Sequence, residues 1–306
     1  MVTFLLRRVL LIVPILFGVS VVVFLMVHLV PGDPIRIMLG HSPSGADIRQ
    51  LRHELGLDAP LPVQYVRYVG RALHGDLGAS IRSNRPVVAE IAERFPQTLQ
   101  LTVAAMAVAI ILGVGVGTLA AASRSRLFEG ALMLGAMLGV SLPTFWVGLL
   151  LIDVFALRLR WFPVLGSTGL RGLVLPAVTL ALPAAAVLAR VTRAGLVDVL
   201  GQDYIRTARA KGLARRRIVG YHALRNGLIV VLTIVGLQFG SLMAGSVIVE
   251  SVFARPGLGS FVVGAIQARD YPDIQGIVLI FAVLYVLINL ILDVLYGLIN
   301  PRIRVS

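Results

Sequence analysis

The chain has 306 residues, of which 58% are hydrophobic and only 14% charged, and its mean hydropathy is +0.90. A soluble domain carries about 25% charged residues, so this composition excludes an ordinary soluble protein and points to a membrane. The absence of cysteine excludes disulfides, thiol nucleophiles and cysteine-ligated zinc or iron–sulfur centres. The formal net charge is +13, and every basic residue except Lys211 is arginine. These arginines lie in loops between apolar segments, as expected of excess positive charge on one face of a membrane. A nucleic-acid footprint would instead be a basic patch on a soluble surface.

A spanning helix needs about 20 apolar residues, and six segments meet that need. The first runs from about Val9 to Val30 behind Arg7 and Arg8. It exceeds the apolar core of a signal peptide and lacks a small-residue cleavage site, so it reads as a retained helix. A polar stretch, Pro31–Phe95, follows. Within it Asp47–Leu57 and Pro62–Leu73 read as short amphipathic helices, and Pro86–Phe95 as an approach helix. The second span is Gln97–Ala122 and the third Phe128–Leu157, joined by the loop Ser123–Arg126. The fourth is Gly172–Ala194, with Pro176 and Pro183 inside it. The fifth is Gly227–Val252 and the sixth Gly276–Ile299.

The expected fold is therefore an all-α membrane protein with six transmembrane helices. Its parts are an N-terminal helix (1–30), an extracytoplasmic segment (31–95), a five-helix core (96–299) with a cytoplasmic loop (193–226), and a cytoplasmic tail (300–306). Orientation follows from the short loops. The face with Met1–Arg8, the Ser123 loop, Arg190–Asn226 and the tail holds 15 Arg and Lys, and the two short loops opposite hold five. Both termini are thus expected in the cytoplasm. Gly113/Gly117, Gly135/Gly139 and Gly236/Gly240 have the GxxxG spacing that lets helices approach closely in lipid.

Several chemistries fail on context. Gly113-Val114-Gly115-Val116-Gly117 lies inside a span, whereas a dinucleotide fingerprint must follow a strand and open a helix. There is no GxxxxGK[ST] phosphate loop, no HExxH and no GxSxG elbow. An intramembrane enzyme would need a nucleophile–base or metal constellation, and none is present. No cofactor or metal site is expected. Ionisable residues within spans are functional candidates by default. They are Asp153, Arg190, Glu250 and Asp293, with roles in a pathway or gate weighed against structural pairing.

The segment Arg193–Asn226 is the most informative. Asp203 is placed to cap a short helix, Tyr204-Ile205-Arg206-Thr207-Ala208-Arg209-Ala210-Lys211, and Gly212 to end it. A basic amphipathic helix, Ala214–Leu224, then leads into the fifth span. Such a knob suits either a basic loop resting on anionic lipid or docking of a cytoplasmic partner.

The segment resembles the coupling loop of permeases in binding-protein-dependent ABC importers, whose motif is Glu-Ala-Ala, three residues, then Gly. Here the match reads Arg206-Thr207-Ala208, three residues, then Gly212, with Leu224-Arg225 in place of the downstream Leu-Pro. These departures are similar to the dipeptide/oligopeptide/nickel branch. So are Pro31-Gly32-Asp33-Pro34, Glu54-Leu55-Gly56-Leu57, Gly75-Asp76-Leu77-Gly78, Arg255-Pro256-Gly257-Leu258-Gly259, Arg269-Asp270-Tyr271-Pro272 and Asn300-Pro301-Arg302. The chain looks most like the first of two permeases in a dipeptide system. The resemblance implies a type I ABC importer permease fold in the bacterial cytoplasmic membrane. It implies a second homologous permease, two cytoplasmic ATPases that bind ATP and Mg, and an extracytoplasmic substrate-binding protein. It also implies that Asp203–Gly212 is the ATPase-coupling element. The implied cargo is short peptides, with nickel chelates, glutathione or haem as alternatives on the same scaffold.

Overall fold

The computed structural model describes residues 2–29, 45, 53, 58–164, 166 and 169–299. The expected helix Asp47–Leu57, the motifs at Pro31–Pro34, Glu54–Leu57 and Asn300–Arg302, and the tail 300–306 lie outside the described residues. The described elements are α1 (Val2–Leu29), α2 (Leu61–Leu73), α3 (Val87–Ala122), α4 (Arg126–Ser141), α5 (Thr144–Leu151), α6 (Leu170–Leu200), α7 (Asp203–Ala210), α8 (Leu224–Val252), α9 (Leu258–Ala268) and α10 (Tyr271–Ile299). Wide π-helical turns cover Ile152–Arg158 and Ile218–Ala223.

Four of these helices have a stretch long and apolar enough to cross a membrane, within α3, α6, α8 and α10. A fifth crossing results if α4 and the helix beyond it count as one broken span. The apolar stretch described on α1, Leu10–Met26, is shorter.

Three expected boundaries are corrected. The approach helix Pro86–Phe95 and the second span are one 36-residue helix, α3, which runs through Pro96. The third span is not a straight helix. It breaks after Ser141 and bends by 104°. The cause is local: a residue before proline is driven out of the helical region by the pyrrolidine ring, and Leu142, preceding Pro143, is extended at φ −81, ψ 133. Pro143 then starts α5, its carbonyl accepting from Trp146 N and Val147 N. The fourth span continues to Leu200, so the first residues of the expected cytoplasmic loop complete α6.

The chain forms two compact units, Met1–Pro96 with Phe261–Ser306, and Gln97–Ser260. In the first, α10 packs along α1, and Gln275 Nε2 donates to Val23 O at 3.1 Å. α2 lies against α1 through an aromatic cluster, Tyr65 standing edge-on to Phe17 and Phe24. Burial pushes the Tyr68 hydroxyl up to about 12. A polar knot joins distant motifs in this unit. The buried Asp270 carboxylate accepts from Ser80 Oγ at 2.7 Å, Arg82 N at 3.0 Å and Ile81 N at 3.2 Å. Nearby, buried Glu90 accepts from Ser83 Oγ and pairs with Arg94 at 3.1 Å, while Arg94 lies 4.0 Å over the Phe261 ring. Gly75-Asp76-Leu77-Gly78 and Arg269-Asp270-Tyr271-Pro272 therefore lead into opposite sides of one clasp.

The second unit is built on α6, whose alanine-rich faces pack against α3, α4, α5 and α8. Small residues set the approach of α3. A Cβ on Gly113 would stand 2.5 Å from Leu188 Cβ, and one on Gly117 2.6 Å from Thr192 Cβ. This is the contact the GxxxG spacing predicts. In the Gly135/Gly139 pair only the second glycine marks a contact: Gly135 meets nothing within 4 Å, whereas a Cβ on Gly139 would stand 3.3 Å from Leu182 O on α6.

Candidate functional site

The knob after α6 is assembled from a short amphipathic helix. Ile205 and Ala208, three apart on α7, are buried against Leu196, Val199, Ile218 and Ala223. Full burial of an isoleucine is worth about 1.5–3 kcal/mol, which anchors a helix too short to be stable alone. The other residues of the segment, Asp203, Tyr204, Arg206, Thr207, Arg209, Ala210, Lys211 and Gly212, are exposed. Asp203 is the first helical residue, and the cap is Gln202 without a side-chain bond. This corrects the expected cap. Asp203 still places negative charge in the first turn, where the helix dipole favours it, and it pairs with Arg206 at 3.3 Å.

The end of α7 is more tightly specified. Gly212 has φ +74, and its N–H bonds Arg209 O at 2.9 Å. Leu213 N bonds Ala208 O at 3.3 Å, and Leu213 rejoins the apolar cluster. Two reversed bonds around a left-handed residue, with an apolar contact just beyond, form a Schellman closure. The return leg is helical over the expected Ala214–Leu224 but is not separate from the fifth span. Arg215–Arg217 make one turn, and the chain runs through Ile218–Ala223 into α8. Asn226 Nδ2 ties this leg to α7, donating to Tyr204 Oη at 2.8 Å.

Among the described residues Asp153, Arg190 and Glu250 form no ion pair with one another. Asp153 pairs with Arg158 at 2.7 Å, both partly exposed. Arg190 is exposed on α6. Asp293 lies on α10 with its side chain outside the described residues. Glu250 is different: it is fully buried at the end of α8. Its Oε2 accepts from Gly259 N at 2.7 Å and Ser260 N at 3.2 Å. The carboxylate thus satisfies the free amides that open α9, as an anion at a helix N-terminus does. A Cβ on Gly257 would collide with that carboxylate, and one on Gly259 with Val247. The glycines of Arg255-Pro256-Gly257-Leu258-Gly259 therefore make room for a buried charge.

Sequence reasoning missed the rest of this network. Arg255 is 1% exposed, and its Nη2 donates to Gln100 Oε1 at 2.7 Å and Gln97 Oε1 at 3.0 Å. Burial lowers the Arg255 guanidinium from its ordinary pKa, and the nearby Glu250 charge works against that. Thr98 Oγ1 accepts from Leu258 N at 2.8 Å. The signal was the quoted Arg255 motif, but nothing local pointed to partners about 155 positions earlier.

An all-helical chain with several bilayer-length apolar helices and a basic knob between two of them has the build of a membrane permease. The chain belongs to the family of binding-protein-dependent transport system inner membrane components, whose description matches residues 113–305. Residues 1–102 match the N-terminal region of such membrane components. It is 48% identical over 304 residues to the glutathione transport system permease protein GsiC of Escherichia coli O6:H1, with 99% of each chain covered. Its identity to the GsiC proteins of Escherichia coli K12 and Shigella dysenteriae serotype 1 is 47% over the same coverage. In fold it resembles a chain of the inward-facing MetNI methionine ABC transporter, with a TM-score of 0.58 and 19% identity. That match covers 69% of this chain and 96% of the other. The chain is an ABC importer permease subunit of the dipeptide/oligopeptide/nickel family and a multi-pass inner-membrane protein.

Proposed function

We propose that this subunit forms half of a translocation pathway for glutathione, the alternative cargo on this scaffold, in place of the di- and oligopeptides first expected. The observation that carries this reading is the 48% identity to a glutathione permease across 99% of both chains. The residues support a permissive pathway. A peptide carries both charges and many backbone donors and acceptors, so a lining of small and apolar groups admits it without fixed partners. The spans are rich in Gly and Ala. Among the described residues no three His, Asp or Glu are grouped to hold a metal ion, which favours peptide over bare nickel.

In this reading a second homologous permease supplies the other half of the pathway. Two cytoplasmic ATPases bind and hydrolyse ATP, and an extracytoplasmic binding protein delivers cargo. The exposed face of α7 docks on an ATPase, and its buried face transmits movement to α6 and α8. Alternating access then switches between two discrete packings. The test is reconstitution of the complete complex in liposomes with its binding protein. ATP-dependent uptake of labelled glutathione supports the assignment. Uptake of di- and tripeptides without glutathione, or of only a nickel chelate or haem, overturns it.

A further inference from the structure

Behind the coupling knob lies a cavity of about 390 Å³, lined by Arg124, Leu200, Arg209, Leu213, Arg215, Ile218 and Val219. We propose that it binds the phosphate headgroup of an anionic phospholipid from the adjacent leaflet. Three guanidiniums converge on it, and no acidic side chain is among its lining residues. Arg209 Nη2 donates to Leu200 O, the last residue of α6, at 3.3 Å, and Arg215 Nη2 donates to Ala122 O, the last residue of α3. Each arginine thus answers the negative end of a helix. That explains two of the three, and each retains most of its five N–H donors for a ligand. Arg124 has no such duty: among the described residues it has no ion pair or carbonyl contact, yet it stands over the same cavity. A planar guanidinium fork matches phosphate geometry.

The floor distinguishes between ligands. Leu200, Leu213, Ile218 and Val219 give the cavity an apolar base at the level where α3 and α6 end. A phosphodiester joined to glycerol esters covers both the cationic rim and the apolar base. Free phosphate leaves the base bare. Basic clusters at the ends of membrane helices attract anionic headgroups at about 1 kcal/mol per residue, equivalent to about fivefold in affinity.

The purified full chain in detergent is titrated with phosphatidylglycerol, phosphatidylcholine or inorganic phosphate, and bound species are counted by native mass spectrometry. Phosphatidylglycerol is expected to bind roughly tenfold or more tightly than phosphatidylcholine. Arg124→Gln removes no helix-end contact and should weaken phosphatidylglycerol about fivefold, whereas Arg217→Gln, outside the cavity, should leave it unchanged. Equal binding of the two lipids, or no effect of Arg124→Gln, overturns the proposal. Displacement of the lipid by equimolar inorganic phosphate reassigns the cavity to a free anion and overturns the lipid assignment. So does an Arg124→Gln chain that keeps full lipid affinity and loses affinity for the ATPase subunit, which would mark a protein contact.

Discussion

Glu250 joins α8 to α9 through one carboxylate. Removing a charged acceptor from buried donors costs about 1–3 kcal/mol or more. Glu250→Ala would leave the amides of Gly259 and Ser260 without their acceptor and remove the charge that offsets the burial of Arg255. We expect loss of the folded subunit from membranes, read as a lower thermal midpoint in detergent and lower abundance. Normal stability of that variant would show that water or lipid can replace the carboxylate. Gly117 offers an independent check, because its added Cβ would meet α6 backbone and Thr192. Gly117→Leu overpacks the α3–α6 contact and should destabilise by about 1–3 kcal/mol, whereas Gly135→Leu, with open space, should be near neutral in the isolated chain. The sequence made Glu250 a candidate because it is a charge in an apolar run. It did not disclose Gln97, Gln100 and Thr98, since a buried hydrogen bond between residues about 155 positions apart leaves no local periodicity.

Whole helices followed their hydrophobic runs, and proline marks where the reading was least secure. The chain has proline inside α3 at Pro96 and inside α6 at Pro176 and Pro183, and these helices continue. At Pro143 the helix breaks. A missing N–H and a ring clash cost about 3 kcal/mol, and α1 also continues through the exposed Pro14, so the residue type alone does not decide the outcome. α6 is packed along most of its length, whereas α4 has no buried residue to hold it straight. The end of α7, by contrast, was legible, because a glycine after a short polar helix has few other uses. Gly212→Val would place a β-branched residue at φ +74, at a cost of about 1–2 kcal/mol, with nothing within 4 Å of the new Cβ to add a clash. The expected result is a subunit that still inserts but whose complex hydrolyses ATP without substrate uptake. Wild-type transport and substrate-stimulated hydrolysis in the same preparation would remove α7 from the coupling role.

For the molecule as a whole, the charge imbalance of the short loops makes a prediction that helix geometry cannot supply. Fifteen basic residues against five assign the α7 knob and both termini to the cytoplasm. The segment before α3 then faces outside. The cysteine-free sequence permits a direct test with single reporters, provided each is accessible and structurally idle. Ser80 is a poor choice, since it is 3% exposed and donates to Asp270. Arg82 is exposed, and only its backbone N–H serves the clasp, so Arg82→Cys keeps that bond. Ala214 is exposed between Leu213 and the Arg215 turn. In intact cells an impermeant thiol reagent should label Arg82→Cys and spare Ala214→Cys. In inside-out vesicles the pattern should reverse. Labelling of both positions from one side would mean that an odd number of the expected crossings is missing between them. The broken span α4–α5 would then be the first suspect, because a 104° bend suits a re-entrant hairpin as well as a crossing. A third reporter distinguishes these. Trp161, exposed just beyond the Ile152–Arg158 turn, shares the side of Arg82 if α4–α5 crosses and lies opposite both Arg82 and Ala214 if it re-enters.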